Sequence, residues 1–294
     1  MTKKLSAVLS KSSSLDKEAV IPCSYDIIGD IAILRLLPQG EEARTAETIL
    51  SIHKNVKTVL CQRSKVAGDL RLRALSYVAG ENRLVTTHRE SNCLFSVDVA
   101  KCYFSPRLNF ERLRVSSLVG AGETIVNMFS GVGCFSILIA KRAEAFRVFS
   151  IDINPTAVQF MLENVRLNKV QRRVIPLLGD SETIIKNHLQ NVADRVLMPL
   201  PEKALACLQP ALSALRPSGG WIHFYGFEHA RKSENPVEKS KIVVAEKLWS
   251  LGFEFEMPSS RIVRSIGPNW YQTVLDLHIL SGPRNLINST RICF

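Results

Sequence analysis

The spacing of apolar positions along the chain separates two kinds of region. From Thr124 onward, short apolar runs alternate with longer stretches of helical periodicity. Thr124 to Phe129 is rich in strand formers, Ser130-Gly131-Val132-Gly133 breaks it as a turn, and Phe135 to Arg142 has helical character. Arg147 to Ile153 is a second run without clean alternation, as strands covered on both faces are. The rhythm then repeats. A helix is predicted from Pro155 to Asn168, with Asn154 as N-cap and Pro155 at the first helical position, then a strand from Arg173 to Leu178. A helix at Ser181 to Leu189, a strand at Asp194 to Met198, a helix at Ala204 to Leu215 and a strand at Trp221 to Phe227 follow. A helix at Val237 to Leu251 and strand segments at Phe253 to Met257, Ile262 to Ser265 and Tyr271 to Leu280 complete the series. Such alternation predicts a doubly wound, mostly parallel sheet.

The upstream pattern is different. Tyr25 to Leu36 reads as a hairpin around Gly29-Asp30, Glu41 to His53 as an amphipathic helix, and Lys57 to Gln62 as a strand. Gly68 to Tyr77 alternates, which predicts a strand with Arg71 and Arg73 on one face. Arg83 to Glu90 and Cys93 to Val99 form another predicted strand pair, and Lys101 to Leu113 bridges to the second half, leading into a helix that runs to about Leu118. The expected class is therefore α/β: a Rossmann-like doubly wound domain over 116–282, preceded by a smaller α+β domain over 20–115. Residues 1–19, rich in Ser and Lys, and 283–294 are expected to be tails, the first of them disordered.

Composition narrows the class only a little. With 294 residues, 46% hydrophobic and 22% charged, the chain has the balance of an ordinary globular protein. No apolar run approaches the roughly 20 residues of a membrane span, and the first residues lack the apolar stretch of a secretory signal. Seven cysteines lie scattered without a CxxC pair, which points to reduced thiols and a cytoplasmic setting. Six histidines in no paired spacing give no metal site. Charge matters more: 38 basic against 27 acidic residues leaves +11, which favours a polyanionic partner, nucleic acid first; solubility alone is the alternative.

The chemistry gathers around the glycine turn. A glycine turn after a strand lets a ligand approach the backbone, and the helix behind it offers free N–H groups. Asp152 closes the next strand 152 − 131 = 21 positions after Gly131, where a nucleotide-binding βαβ unit places the carboxylate that grips a ribose. The third glycine of a dinucleotide fingerprint is Ser136 here, and no GxxxxGK[ST] exists. A ligand without phosphates, such as S-adenosylmethionine, fits better: the turn for its amino-acid end, Asp152 for its ribose, and Asp180 after the third strand near its adenine. Asp180 can equally be a helix N-cap.

Several runs in order resemble the archaeal and eukaryotic family of tRNA (guanine-37-N1)-methyltransferases. They are SYDIIGDIAIL (Ser24 to Leu34), THRESNCLFSVDVAKCYFSPRLNFER (Thr87 to Arg112), NMFSGVGCFSI (Asn127 to Ile137), SIDINP (Ser150 to Pro155), NVRLNKV (Asn164 to Val170) and DRVLMPLP (Asp194 to Pro201). The likeness spans about residues 20–280 and implies an S-adenosylmethionine-dependent enzyme, acting as a monomer, that methylates the guanosine next to the anticodon of tRNA, held by its anticodon stem-loop. Guanine N1 carries a proton, so the reaction needs a base, and the resemblance assigns it to Glu111; on its own this residue reads as a solvated carboxylate. Charge thrown onto O6 calls for a cation, assigned to Arg71 with Arg73 as the fallback. Tyr103 and Arg107 of YFSPR are implied to line the cofactor, although a core tyrosine and a surface arginine are the plainer readings. Phe129, Gly131, Gly133, Asp152, Asn154, Asp180 and Pro199 carry over as cofactor contacts. Pro199 stands where the family usually has an asparagine, and Asn127 where an acid is common. The chain also departs from the family in the separate N-terminal domain, which is not expected here. Two alternatives stay open: the sister enzymes of the wybutosine pathway, which transfer the aminocarboxypropyl group of the same cofactor, and a non-catalytic RNA-binding protein on the same scaffold.

Overall fold

The computed structural model describes residues 24–35 and 40–282; the two expected tails lie outside them. The first sheet is small: β1 (Tyr25–Ile28), β2 (Ile31–Leu34), β3 (Thr58–Gln62) and β4 (Leu75–Gly80) lie in that order, with α1 (Glu42–Ile52) crossing between β2 and β3. β2 and β3 run parallel, and β1 and β4 pair antiparallel at the edges. Alternation divides the strands between two cores. Ala32, Leu34, Val59 and Cys61 pack under α1, while Ile31, Ile33 and Leu60 face the large core of the second half. The two units therefore share packed surface rather than hanging on a linker.

The main sheet has the order β12-β13-β11-β10-β7-β8-β9. Its strands are β7 (Thr124–Asn127), β8 (Arg147–Asp152), β9 (Val174–Leu178), β10 (Arg195–Met198), β11 (Gly220–His229), β12 (Glu254–Gly267) and β13 (Trp270–Ser281). β13 is antiparallel to both neighbours, and β9-β8-β7-β10-β11 are parallel. The helices are α2 (Asn109–Leu118), α3 (Cys134–Arg142), α4 (Pro155–Leu167), α5 (Ser181–His188), α6 (Pro201–Ala204), α7 (Leu208–Ala214) and α8 (Pro236–Ser250). One core lies against α3 and α4, the other against α5, α7 and α8. The strand order reverses beside β7, and in open α/β sheets ligands bind outside the carboxyl ends of the strands at such a point.

Between the sheets sits a hairpin of β5 (Val85–Glu90) and β6 (Cys93–Asp98), turned by Ser91 and Asn92, both at positive φ. Its free edge is closed by a helix. On α4, Asn164 accepts from Ser96 N–H at 2.6 Å and donates to Ser96 O at 3.0 Å; Asn168, just past its end, does the same for Leu94 at 2.9 and 2.6 Å. The two amides of NVRLNKV, one helical turn apart, thus imitate a neighbouring strand.

Three sequence-based expectations are corrected. Gly68 to Tyr77 is not one strand: Ala67 and Leu72 exchange backbone hydrogen bonds, Arg71 N–H donates to Gly68 O at 3.0 Å, and Arg71 takes a positive φ of 54°. Arg71 and Arg73 therefore do not share a strand face, and β4 begins only at Leu75. The helix expected over Ala204 to Leu215 is two pieces, α6 and α7, because restarting at Leu208 puts Pro210 in a first turn, where its missing N–H costs nothing. Phe253 to Met257 and Ile262 to Ser265 are one strand, β12, whose register slips between Glu256 and Ser259 around Pro258.

Candidate functional site

A cleft opens at the carboxyl ends of β7, β8, β9 and β10, lined by Phe129, Gly131, Asp152, Asn154, Asp180 and Pro199. Tyr103, Arg71 and Arg112 wall it from the side of the small sheet. The glycine turn is tied to the second strand. Gly131 N–H donates to Asp152 Oδ2 at 2.6 Å, and Asn154 N–H donates to Asp152 Oδ1 at 2.9 Å. Burial pushes the Asp152 carboxyl up from its ordinary value, and these two backbone donors pull the other way. Each oxygen keeps acceptor capacity for a further donor in the cleft.

The two glycines serve different ends. At Gly131 (φ 54°) an added Cβ meets nothing nearer than Tyr103 O at 3.7 Å, so the backbone is open to a ligand. At Gly133 (φ 92°) a Cβ would press on Met161 at 2.9 Å and Ile137 at 3.0 Å. Gly133 does not line the cleft; it permits the close seat of α3. Asn154 lines it, yet its amide is committed: Oδ1 accepts from Thr156 and Ala157 N–H as the cap of α4, and Nδ2 donates to Lys101 O at 2.8 Å. Asp180 caps α5 through Thr183 N–H at 2.9 Å, the N-cap reading, and it also lines the cleft. Asn127 is fully buried and bonded to Ser136 Oγ, a scaffold role.

The cations sort themselves by position. The Arg71 guanidinium lies 4.5 Å from the centre of the Tyr103 ring, and its Nη2 is 3.3 Å from Glu202 of α6. Its Nε is buried without a hydrogen-bond partner among the described residues, as is that of Arg261 beside Glu111. Arg73 points elsewhere, donating to Gln62 Oε1 at 3.3 Å. Of the two arginines, Arg71 is the one in the cleft. Arg107 is not there either: it donates to Asp26 Oδ1 at 2.7 Å on the outer side of the 3-10 turn Pro106–Leu108. Arg112, which the sequence did not single out, holds the wall through a buried bidentate pair with Glu90 at 2.6 and 2.7 Å. Asp69 and Lys203, paired at 2.7 Å, latch the Arg71 loop onto α6. The Cys134 thiol, also in the wall, is pushed up to about 12 by burial and stays protonated.

Glu111 sits behind the cleft wall rather than in it. Its carboxylate is buried and receives Arg114 Nη2 at 2.8 Å, Tyr225 OH at 2.8 Å and Arg261. Arg114 continues to Asp276 at 2.5 Å, and Asp276 meets His223 Nδ1 at 2.6 Å. His223 Nε2 faces Arg195 Nη1 at 2.8 Å, and Arg195 pairs with Glu123 at 2.7 Å. Because Arg195 can only donate, His223 Nε2 accepts and Nδ1–H donates to Asp276, a neutral ring. Burial depresses the His223 pKa, which agrees with that tautomer. Asp276 is held well below the usual carboxylate range: burial opposes its charge, but His223 and Arg114 outweigh it.

The TRM5/TYW2 methyltransferase domain model matches residues 86–251, and the TYW2 N-terminal domain model matches residues 5–83. The tRNA (guanine(37)-N(1))-methyltransferase Trm5b of Pyrococcus abyssi is 41% identical over 88% of this chain and 76% of its own length. The tRNA 4-demethylwyosine(37)-methyltransferase Taw21 of Saccharolobus solfataricus is 38% identical over 86% of this chain and 92% of its own. The solved complex of aTrm5 with tRNALeu superposes with a TM-score of 0.77 at 32% identity, covering 94% of this chain and 78% of that one. No helix of the described residues is long and apolar enough to cross a membrane. The glycine turn tied to Asp152, the switch-point cleft and these matches lead to one conclusion: the chain belongs to the TRM5/TYW2 methyltransferase family.

Proposed function

We propose that this protein transfers a methyl group from S-adenosylmethionine to N1 of guanosine 37 in tRNA, next to the anticodon. The observation that carries the reading is the pairing of an Asp152-anchored cleft with a half-buried arginine in its wall, Arg71, whose buried Nε has no partner among the described residues. The residues present fit the cofactor. Asp152 has acceptor capacity left for ribose hydroxyls, Asp180 lies farther along the cleft for the adenine end, and the Gly131 backbone is open for the amino-acid end. S-adenosylmethionine, when bound, supplies an electrophilic methyl on its sulfonium.

The chain's own residues do the rest. Arg71 offers its unpaired Nε to O6, where charge gathers as N1 loses its proton. Tyr103 supplies the flat face on which that guanidinium rests. Glu111 takes the N1 proton, and to do so it gives up Arg261, the one partner that comes from the exposed strand β12. Tyr225 and Arg114 keep the carboxylate aimed meanwhile. Pro199 offers its carbonyl where the family's asparagine would offer an amide. The five free cysteines of the described residues, four of them buried, suit a reducing cytoplasm.

A second reading comes from the Saccharolobus enzyme, 38% identical and named for 4-demethylwyosine(37): methyl transfer to that base at the same position is the alternative. The two are separated by offering tRNA with guanosine 37 and tRNA with 4-demethylwyosine 37, each with the cofactor, and reading nucleoside masses. Gain of one methyl on guanosine supports the first reading. Gain on the tricyclic base alone replaces it with the second.

A further inference from the structure

At the seam between the two sheets, outside the cleft, four arginines gather in the neighbourhood of a single carboxylate, Asp26, which pairs with one of them, Arg107. Register places two of the groups. Asp26 pairs with Ile33 across β1 and β2, so Arg35, two residues beyond Ile33, looks out on the same face as Asp26. Ile33 lies opposite Leu60, which puts Gln62 in the next row, and Gln62 Oε1 accepts from Arg73. From the second unit, Arg107 donates to Asp26. Arg264 on β12 donates to Tyr103 OH at 3.2 Å, Ser105 Oγ at 3.0 Å and Gln272 Oε1 at 2.8 Å.

These charges feel one another. Burial depresses the Arg35 pKa, and the like charges of Arg107 and Arg264 depress it further, with only Asp26 opposing. Arg73 is depressed by burial first; Arg35 and Arg107 add to it, against Asp26 and the Tyr103 phenol. Four cations against one carboxylate leave three positive charges uncompensated. The Arg35 guanidinium makes no hydrogen bond to any described residue, and both Arg35 and Arg107 are exposed. Guanidinium groups gathered this way are suited to a phosphate, whose oxygens accept the planar forks.

We propose that Arg35, Arg73, Arg107 and Arg264 form a site for one phosphodiester of the RNA strand, the linkage flanking the nucleotide whose base enters the cleft. Tyr103 fixes the place. Arg71 stacks on its ring from the cleft, while Arg264 holds its hydroxyl from the seam, so base site and phosphate site are separated by one side chain. None of the four arginines lines the cleft, which separates the site from the amino-acid end of a cofactor. The proposal rests on the RNA-substrate reading above and adds the position of its backbone.

The test is binding of an anticodon stem-loop RNA to the full chain across a salt series, for the wild type, Arg35→Ala and Arg35→Lys. Arg35→Ala should weaken binding by about three- to tenfold and make the logarithmic salt slope shallower by about one. Arg35→Lys, which keeps the charge, should restore the slope. A second arm uses RNA with a neutral methylphosphonate at either linkage of the target nucleotide. One of the two replacements should cost the wild type a similar factor and cost Arg35→Ala nothing further. If Arg35→Ala and Arg264→Ala both bind with the wild-type slope and affinity, or if the methylphosphonate penalties add in full to that of Arg35→Ala, the phosphate lies elsewhere and the proposal is wrong. If the wild type binds no RNA at all, the underlying reading fails with it.

Discussion

The cleft and the chain of charges behind it are built from the same kinds of residue and end in opposite states. Behind the wall, Glu111, Arg114, Asp276, His223, Arg195 and Glu123 are joined end to end, each group answered by the next at 2.5–2.8 Å. In the cleft, Asp152 is secured only by backbone N–H groups, and Arg71 keeps an unpaired buried Nε. A buried polar group left unmatched costs stability, so a fold tolerates it where a ligand completes the set. The matched chain is built as scaffold, and the unmatched groups of the cleft suit the binding site proposed above; Arg261, beside Glu111, shares with Arg71 a buried Nε without a partner among the described residues. Glu111 anchors the scaffold from behind the cleft wall, next to Arg112 of that wall, and in the proposed reaction it serves the cleft as well.

That dual membership gives the largest expected effect. Glu111→Gln should slow single-turnover methyl transfer by on the order of 10²–10⁴, the usual contribution of a positioned base. The amide still accepts from Tyr225 and Arg114, so tRNA and cofactor affinity measured on the same preparation should stay near wild type. A slowing of under about threefold would return Glu111 to the scaffold alone.

Breaking the scaffold without touching the cleft is the next test. Asp276→Asn removes one of the two carboxylates that hold the half-buried Arg114 and weakens the anion facing buried His223, and should cost about 1–3 kcal/mol of stability in denaturant unfolding. In the wild type the Asp276 carboxyl is depressed below 3.8, so its stabilisation is complete above that pH and is lost as pH falls through the lower folded value. A variant as stable as wild type would mean the charge chain is idle.

The cleft answers through affinity instead. Asp152→Ala removes hydrogen bonds to a charged acceptor, about 1.5–3 kcal/mol, and should weaken S-adenosylmethionine on the order of 10- to 100-fold by calorimetry. Unchanged affinity would place the ribose elsewhere. The smallest effect concerns pH. The Asp152 carboxyl is raised above 3.8 in the folded protein, so protonation weakens cofactor binding at a pH above the ordinary carboxylate value. For stability the sign is opposite to that of Asp276: the Asp152 contribution is present below 3.8 and is lost as pH rises through the folded value. Cofactor affinity flat down to pH 3.8 would show that the ionised form is not what binds.

The cleft was largely legible in the sequence because its parts are local. A glycine turn, an acid 21 positions on and another after the third strand are fixed by the βαβ repeat, and Gly131, Asp152 and Asp180 all line the cleft. Gly133 looked like a ligand contact because packing against Met161 and Ile137 leaves the same trace as backbone exposure. Arg71 was found by resemblance and its strand was not, since a positive φ at an arginine carries no sequence signal. The resemblance implies that Arg107 lines the cofactor, but the structure turns it toward Asp26, a partner 81 residues away. The charge chain was invisible for the same reason: Glu111 meets Tyr225 across 114 residues and Arg114 meets Asp276 across 162. No spacing rule spans such distances.

The central claim, that this protein transfers the cofactor's methyl and not its aminocarboxypropyl arm, is tested most directly by the co-product. Wild-type protein is incubated with tRNA and S-adenosylmethionine, and the small-molecule fraction is separated by chromatography and weighed by mass spectrometry. The account predicts S-adenosylhomocysteine, in amounts equal to the methyl gained by residue 37. Methylthioadenosine in its place, with an aminocarboxypropyl mass gain on the tRNA, would contradict it.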